Sequence, residues 1–301
     1  MTALNSIASA QENGKGLFRG RLPGRLLLHF SALLLFILFF VGTALVVFPK
    51  GQLRDYVVTL IYRQTGQRVS IGQLSFSPFL RVEAGDITWQ PSNVSLPPVT
   101  VDRLTGSPAW TSLFGKNPAC RFHAVIAGGK VDGRYARDGS CNAKLVNVDI
   151  APFIGPKFLF PPTGKLGGTV ALQNAADSEG DTVVFDLAAE DLKVGGLDSF
   201  GLAKKELALG RVQLRGKMVG NSFKLEALQN EGGDLSITGH GSILVNKVPS
   251  YSRLNLQFDL RPAPALASPL HNLLQLAGLK SGAEGDYKFR LVGSPIRPVL
   301  R

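Results

Sequence analysis

The chain reads as a mainly β protein tethered by one N-terminal transmembrane helix, and three observations lead there. An uncharged apolar run fills Leu26 to Phe48. From about Val69 onward, apolar and polar residues alternate with a period of two, the signature of strands with one dry face. Glycine (34) and proline (18) are frequent and punctuate the alternating stretches, as short strands joined by turns require.

The apolar run comes first in the chain. Its 23 residues carry no charge, with His29, Ser31 and Thr43 as the polar interruptions. As a helix they span ~35 Å, enough for a hydrocarbon core of ~30 Å. Pro49, Lys50 and Gly51 mark its end. Lys15, Arg19, Arg21 and Arg25 precede it against a single acid, Glu12, so the tail 1–25 is expected in the cytoplasm and the rest outside. A cleaved signal peptide is the competing reading, but its apolar core runs ~7–15 residues and ends at small residues. Here only Gly42-Thr43-Ala44 offers such a site.

Residues 49–67 follow as an amphipathic juxtamembrane helix, with Leu53, Tyr56, Val57, Leu60 and Ile61 placed on one face. Capping the sheet is favoured over lying on the membrane, because the other face is not lysine-rich.

The remaining 68–301 are expected to form one exported antiparallel sheet, curved or groove-forming, with one or two short helices. Four segments show alternation most clearly: 211–218, 223–227, 254–260 and 287–291. Weaker strands fall at 69–76, 80–89, 100–104, 121–126, 130–135, 142–149, 165–172, 182–187 and 234–245. Gly128-Gly129, Asp138-Gly139, Gly220-Asn221 and Gly232-Gly233 are hairpin turns, so the order is a meander. Short helices are expected near 109–114 and 265–277. Glycine, a basic residue and an aliphatic recur at Gly129-Lys130-Val131, Gly164-Lys165-Leu166 and Gly210-Arg211-Val212, too irregularly for a solenoid. Proline-rich stretches at 90–98 and 155–162 leave room for a subdivision near residue 160.

The candidate apolar face holds Phe223, Leu225, Leu254, Leu256 and Phe258, read as core packing or as the lining of a groove. Cys120 and Cys141 fall at the starts of the first and third strands of a meander, ~10 Å apart, beyond the ~7 Å reach of a disulfide unless a loop moves. Their bridging stays open. No two of the four histidines have metal-ligand spacing, and His123 and His240 fall on strands as ordinary side chains. Glu190 and Asp191, the nearest thing to paired carboxylates, alternate to opposite faces. Gly239-His240-Gly241-Ser242 lies within a strand and reads as a bulge, not a phosphate loop. No nucleophile elbow, phosphate loop or dinucleotide fingerprint is present, so no enzyme and no cofactor is expected. The net charge of +11 is scattered along strands, which speaks against nucleic acid.

The order of features resembles the type II secretion system protein N family. The likeness is strongest in the C-terminal third: a glycine-punctuated strand, Glu231-Gly-Gly-Asp-Leu-Ser-Ile-Thr-Gly-His-Gly-Ser-Ile-Leu; a serine-led alternating strand, Ser252-Arg-Leu-Asn-Leu-Gln-Phe-Asp-Leu-Arg-Pro; and a closing stretch, Leu291-Val-Gly-Ser-Pro-Ile-Arg-Pro. The resemblance implies a non-enzymatic accessory of the bacterial inner membrane, its periplasmic domain contacting other secretion components by edge-strand pairing or a polar face. A more distant likeness to AsmA-like proteins implies the alternative, a periplasmic module binding or transferring phospholipid. A signalling anchor is a third reading, although the tail is too short to hold a catalytic domain.

Overall fold

The computed structural model describes residues 50–301 except 78–79, 91–96, 114, 155–157, 159, 174–180, 198–204, 247–250, 265–270, 272–273, 276–277, 283–284 and 296; of the first 49 it describes 35, 36, 39, 40 and 43. The chain divides into two units, Met1–Phe48 and Pro49–Arg301. The five described residues of the first unit are helical, and Thr43 Oγ1 donates to the Phe39 carbonyl at 2.8 Å, a bond between successive helical turns. Most of the expected transmembrane segment, and the flanking Lys15, Arg19, Arg21 and Arg25, lie outside the described residues. Among the described residues, no helix is long and apolar enough to cross a membrane.

The second unit is one antiparallel sheet of fourteen strands in sequence order. A helix, α1 (Lys50–Thr65), leads into β1 (Arg68–Ser77), β2 (Arg81–Gln90), β3 (Val99–Pro108), the short α2 (Trp110–Leu113), β4 (Ala119–Ile126), β5 (Gly129–Ala136) and β6 (Cys141–Asp149). A 3₁₀ turn at Ala151–Phe153 precedes β7 (Pro162–Gln173), β8 (Thr182–Val194), β9 (Leu207–Val219), β10 (Ser222–Glu231), β11 (Leu235–Leu244), β12 (Arg253–Pro262), β13 (Tyr287–Ser294) and β14 (Arg297–Leu300). All thirteen expected strands are present. The ladder runs unbroken from β6 through β7, in line with the single domain expected, and the prolines near residue 160 mark no subdivision of the sheet. Of the helix expected at 265–277, the described residues 271, 274 and 275 are helical.

Register shows why these sequences make one dry face. Residues directly opposite in an antiparallel pair point to the same side. One row therefore runs Met218–Phe223–Ile243–Leu254 across β9 to β12, and the next runs Phe185–Gly216–Leu225–Gly241–Leu256–Leu291 across β8 to β13. The opposite side carries cross-strand ion pairs: Glu83–Arg103 at 3.2 Å, Glu190–Arg211 at 3.2 Å, Asp186–Arg215 at 3.2 Å and Asp259–Lys288 at 3.8 Å. Except for the half-buried Asp259, the paired side chains are exposed, and exposed pairs contribute little to stability individually. They fix register by placing opposite charges face to face.

Where alternation slips, bulges restore it. The β6–β7 register shifts between Leu145 and Val148, where Asn147 takes a φ of 54°, and the β8–β9 register shifts after Ala189, where Asp191 takes a φ of 51°. Asn and Asp tolerate this left-handed conformation better than other side chains. Each extra residue re-aims the strand, so Val148 returns to the dry face at 3% exposure. The bulge expected at Gly239–Gly241 sits instead on the partner strand, between Leu225 and Leu228 of β10.

The two edges differ. α1 contacts β1, and its Leu53, Val57, Val58 and Ile61 are half-buried while Tyr56 and Leu60 are exposed, which corrects the expected grouping of those two with the other three. The arc of half-buried side chains starts at Leu53 and turns toward Val58, so Tyr56 and Leu60 fall just outside it. β14, which sequence alternation did not reveal, is a four-residue edge with Pro298 opposite Gly293. Arg290 and Arg301 exchange backbone bonds in both directions, so in the alternating ladder Pro298 faces outward. There its missing N–H costs no ladder bond and blunts the edge against further pairing.

The turn between β5 and β6 is held by Asp138. Its carboxylate accepts from the Ser140 hydroxyl at 2.7 Å, the Ser140 N–H at 2.9 Å and the Asn117 amide at 2.6 Å. These donors, the Ser140 hydroxyl foremost, hold the carboxyl below the usual carboxylate range. A depressed folded pKa contributes stability above the unfolded value of ~3.9, lost as pH falls through the folded value. Asp138→Asn is therefore expected to lower stability at pH 6 and to flatten its decline below pH 4, read by denaturant midpoints across that range.

Candidate functional site

The dry face is the candidate site. Phe223, Leu225, Leu254, Leu256 and Phe258 all lie on it, gathered across β10, β11 and β12 by the register pairs Phe223↔Ile243↔Leu254, Leu225↔Gly241↔Leu256 and Gly239↔Phe258. Leu225 and Leu256 are buried, while Phe223, Leu254 and Phe258 are half-buried.

What distinguishes the face is the absence of a second layer among the described residues. Apart from α1 on β1, the 3₁₀ turn on β7 and a touch between β9 and β11, every substantial contact joins neighbouring strands. Among the described residues no large side chain is fully buried, although Tyr287 comes nearest at 2%. A sheet with an apolar face ordinarily buries it against another element. Here most of it stays half-open.

Aromatic rings over glycines shape the surface. Phe185 of β8 stacks on Phe223 of β10, with centroids 5.2 Å apart and planes 9° from parallel, bridging the intervening Gly216 of β9. A Cβ at Gly216 would lie 2.7 Å from the Phe185 ring and 2.5 Å from the Lys224 carbonyl oxygen. Phe122 covers Gly133 in the same way, and Phe258 covers Gly239 while packing on Phe289 at 5.5 Å. These glycines give the rings a flat bed, a role that sequence reading left as turn and bulge chemistry.

Two ends can be told apart. The near end, where α1 enters, holds the start of β1 opposite the close of β2 (Arg68↔Gln90) and the start of β7 opposite the close of β8 (Pro162↔Val194). There Asn230 of β10 ties three strands together: its amide donates to the carbonyls of Leu209 at 2.8 Å, Leu235 at 2.7 Å and Gly232 at 3.1 Å, and its side-chain oxygen accepts from Ile237 N–H at 2.5 Å. Also at this end, His271 Nδ1 meets the Tyr287 hydroxyl at 2.5 Å. The far end opens into a pocket of about 480 Å³ lined by Leu80, Val82, Pro108, Pro118, Cys120 and Tyr135, almost all apolar.

Both cysteines lie at that far end as thiols. Cys120 of β4 and Cys141 of β6 each pair with Tyr135 of β5, so a whole strand separates them and they are not bridged. Burial, and secondarily the neighbouring Cys120, pushes the Cys141 thiol above its usual range. Cys120 is exposed. At pH 8, Cys120 is expected to be alkylated well before Cys141, measured by mass spectrometry of peptides over a time course. Equal rates would contradict the placement.

The polar face offers less. A pocket of about 450 Å³ there is lined by Thr238, His240, Gln257, Asp259, Lys288 and Arg290. Its charges are already engaged: Lys288 lies 3.8 Å from Asp259 and 3.3 Å from Asp286, and Arg290 donates to Asn255 at 2.7 Å. His123 pairs with Asp132 at 2.6 Å, and Glu190 with Arg211. Among the described residues, no three His, Cys, Asp or Glu side chains gather as for a metal ion. Comparison with family models, with curated proteins and with solved structures finds no match.

Proposed function

We propose that the chain is a non-enzymatic, membrane-anchored accessory of a bacterial export apparatus, the type II secretion system its sequence resembles. In this reading, residues 26–48 span the inner membrane and the sheet stands in the periplasm. The supporting observation is the dry face, an ordered apolar surface across fourteen strands with no second layer among the described residues. In this reading the surface is a binding element, since an apolar face left without a second layer marks an interaction site. The blunted β14 edge argues for contact through a face over contact by strand addition. The test is affinity purification of the full chain from cells that secrete through such a system, together with a secretion assay on a deletion strain. Recovery of secretion subunits with impaired export supports the reading. Intact export with no such subunit recovered ends it.

A second reading, a lipid-binding module, is favoured by one observation. The rows traced above consist of apolar side chains and glycines, and the amide of Asn230, which lies beyond them on the same face, is spent on the strands themselves. Acyl chains need no hydrogen-bonding partner. Stoichiometric phospholipid that resists delipidation of the purified full chain would favour this reading, and its absence would remove it.

A further inference from the structure

We infer that the far ends of β12, β13 and β14 form a binding site for a phosphate group, held between the guanidinium groups of Arg253 and Arg297 and the hydroxyls of Ser252 and Ser294. Such a site is independent of which partner covers the dry face.

Register brings the two arginines together. Leu254 pairs with Gly293, so the next step of the ladder sets Arg253 opposite Ser294, and Ser294 pairs with Arg297. The arginines therefore flank Ser294 on one side of the sheet, their Cα atoms two strand spacings or ~10 Å apart. Both side chains are exposed, and among the described residues neither guanidinium has a hydrogen-bond or ion-pair partner. Elsewhere on that side Arg103, Arg211 and Arg215 each face an acid at 3.2 Å. Here the chain offers no match, because it carries no Asp or Glu from Leu235 to Phe258 or after Asp286. Like charges on one face of neighbouring strands repel, and an anion between them relieves the repulsion.

The same strand ends enclose a cavity of about 680 Å³ whose lining includes both arginines, both serines and Tyr251. Ser252 is buried, 5% exposed, and its oxygen accepts from the Asn246 N–H at 3.1 Å. The Ser294 oxygen accepts from the Arg297 N–H at 3.3 Å. Each hydroxyl proton is left to give, with no acceptor among the described residues. Two guanidinium forks and three hydroxyls, with no acidic side chain, suit an anion with several acceptor oxygens; phosphate takes paired bonds from arginine and single ones from hydroxyls. Leu254 and Gly293, paired in the dry row, complete the lining, so an apolar group esterified to the phosphate has a surface to lie on. The 450 Å³ pocket farther along these strands lacks this character, since Asp259 lines it and Lys288 and Arg290 are engaged.

Calorimetric titration of the full chain in a maltoside detergent tests the site with two phosphate esters. One is soluble glycerol phosphate; the other is dihexanoyl phosphatidylglycerol, kept below its micelle concentration. At least one is expected to bind, and Arg253→Gln and Arg297→Gln are each expected to weaken it about ten-fold or more. Tighter binding of the lipid identifies the phosphate as a headgroup, whereas equal or tighter binding of glycerol phosphate identifies a soluble ester. Lys144→Gln removes the same charge from an exposed position on β6 and is expected to change affinity less than about two-fold. Binding of neither ester, binding that both arginine variants leave unchanged, or an equal loss in Lys144→Gln overturns the site. Should the variants misfold, phenylglyoxal labelling of the native chain decides. The ester is then expected to protect Arg253 and Arg297 several-fold and to leave the exposed Arg137 unprotected, read by peptide mass spectrometry. Equal labelling with and without ester overturns the site as well.

Discussion

Replacing Asn230 by alanine is expected to destabilise the sheet by about 2–3 kcal/mol, because several hydrogen bonds disappear and the partly buried Ile237 N–H loses its acceptor. The amide closes the near ends of β9, β10 and β11 at once, through Leu209, Gly232, Leu235 and Ile237. Asn230→Asp separates the donor from the acceptor role. It keeps an acceptor for Ile237 but turns a carboxylate toward three carbonyl oxygens. This variant is expected to be as unstable as alanine at pH 7 and to recover on acidification, when the carboxyl protonates. Denaturation of the detergent-solubilised full chain measures both. A loss no larger than that of Lys224→Ala, an exposed strand position nearby, would show that the tie is decorative.

The second large effect concerns the aromatic beds. Gly216→Val is expected to cost about 2–3 kcal/mol, since the new side chain meets a ring and also a backbone oxygen that cannot move alone. At Gly133 the three nearest atoms all belong to the Phe122 ring, which can rotate away, so about 1–2 kcal/mol is expected for Gly133→Val. The order of the two costs carries the argument. If Gly133→Val proved the more damaging, or if near-ultraviolet circular dichroism of Gly216→Val kept the aromatic signal unchanged, the stacking of Phe185 and Phe223 over Gly216 would be misplaced.

Much of this fold was legible because a strand with one wet face has to alternate. Leu254, Leu256, Phe258 and Leu260 against Asn255, Gln257 and Asp259 leave no other assignment, and the register places the first three on the dry face as read. Legibility stopped where the period broke. The strand read as 182–187 extends to Val194, because the bulge at Asp191 shifts the phase and hides the second half. β14 escaped since Arg297-Pro-Val-Leu300 is too short to alternate and contains the residue that ordinarily argues against a strand. On α1 the apolar residues cover more than one side of the helix, so sequence alone could not say which would pack.

The site was only half legible. Five of its apolar residues could be named from alternation. That no second layer covers them among the described residues could not, because a stripe that is packed and a stripe that is open have the same pattern. Asn230 gave no signal either, as a polar residue near a Gly-Gly turn looks like loop chemistry until the three strand ends are seen to converge on it.

The central claim, that one face of the sheet meets a partner while the other meets water, is most directly tested by photocrosslinking in cells from two adjacent residues. Phe258 points to the dry face, and Gln257 lies in the register row of the wet one. With a photoreactive side chain placed at each in turn in the full chain, the account predicts a discrete adduct from position 258 and none from position 257. Equal capture from both, or capture from 257 alone, would contradict it.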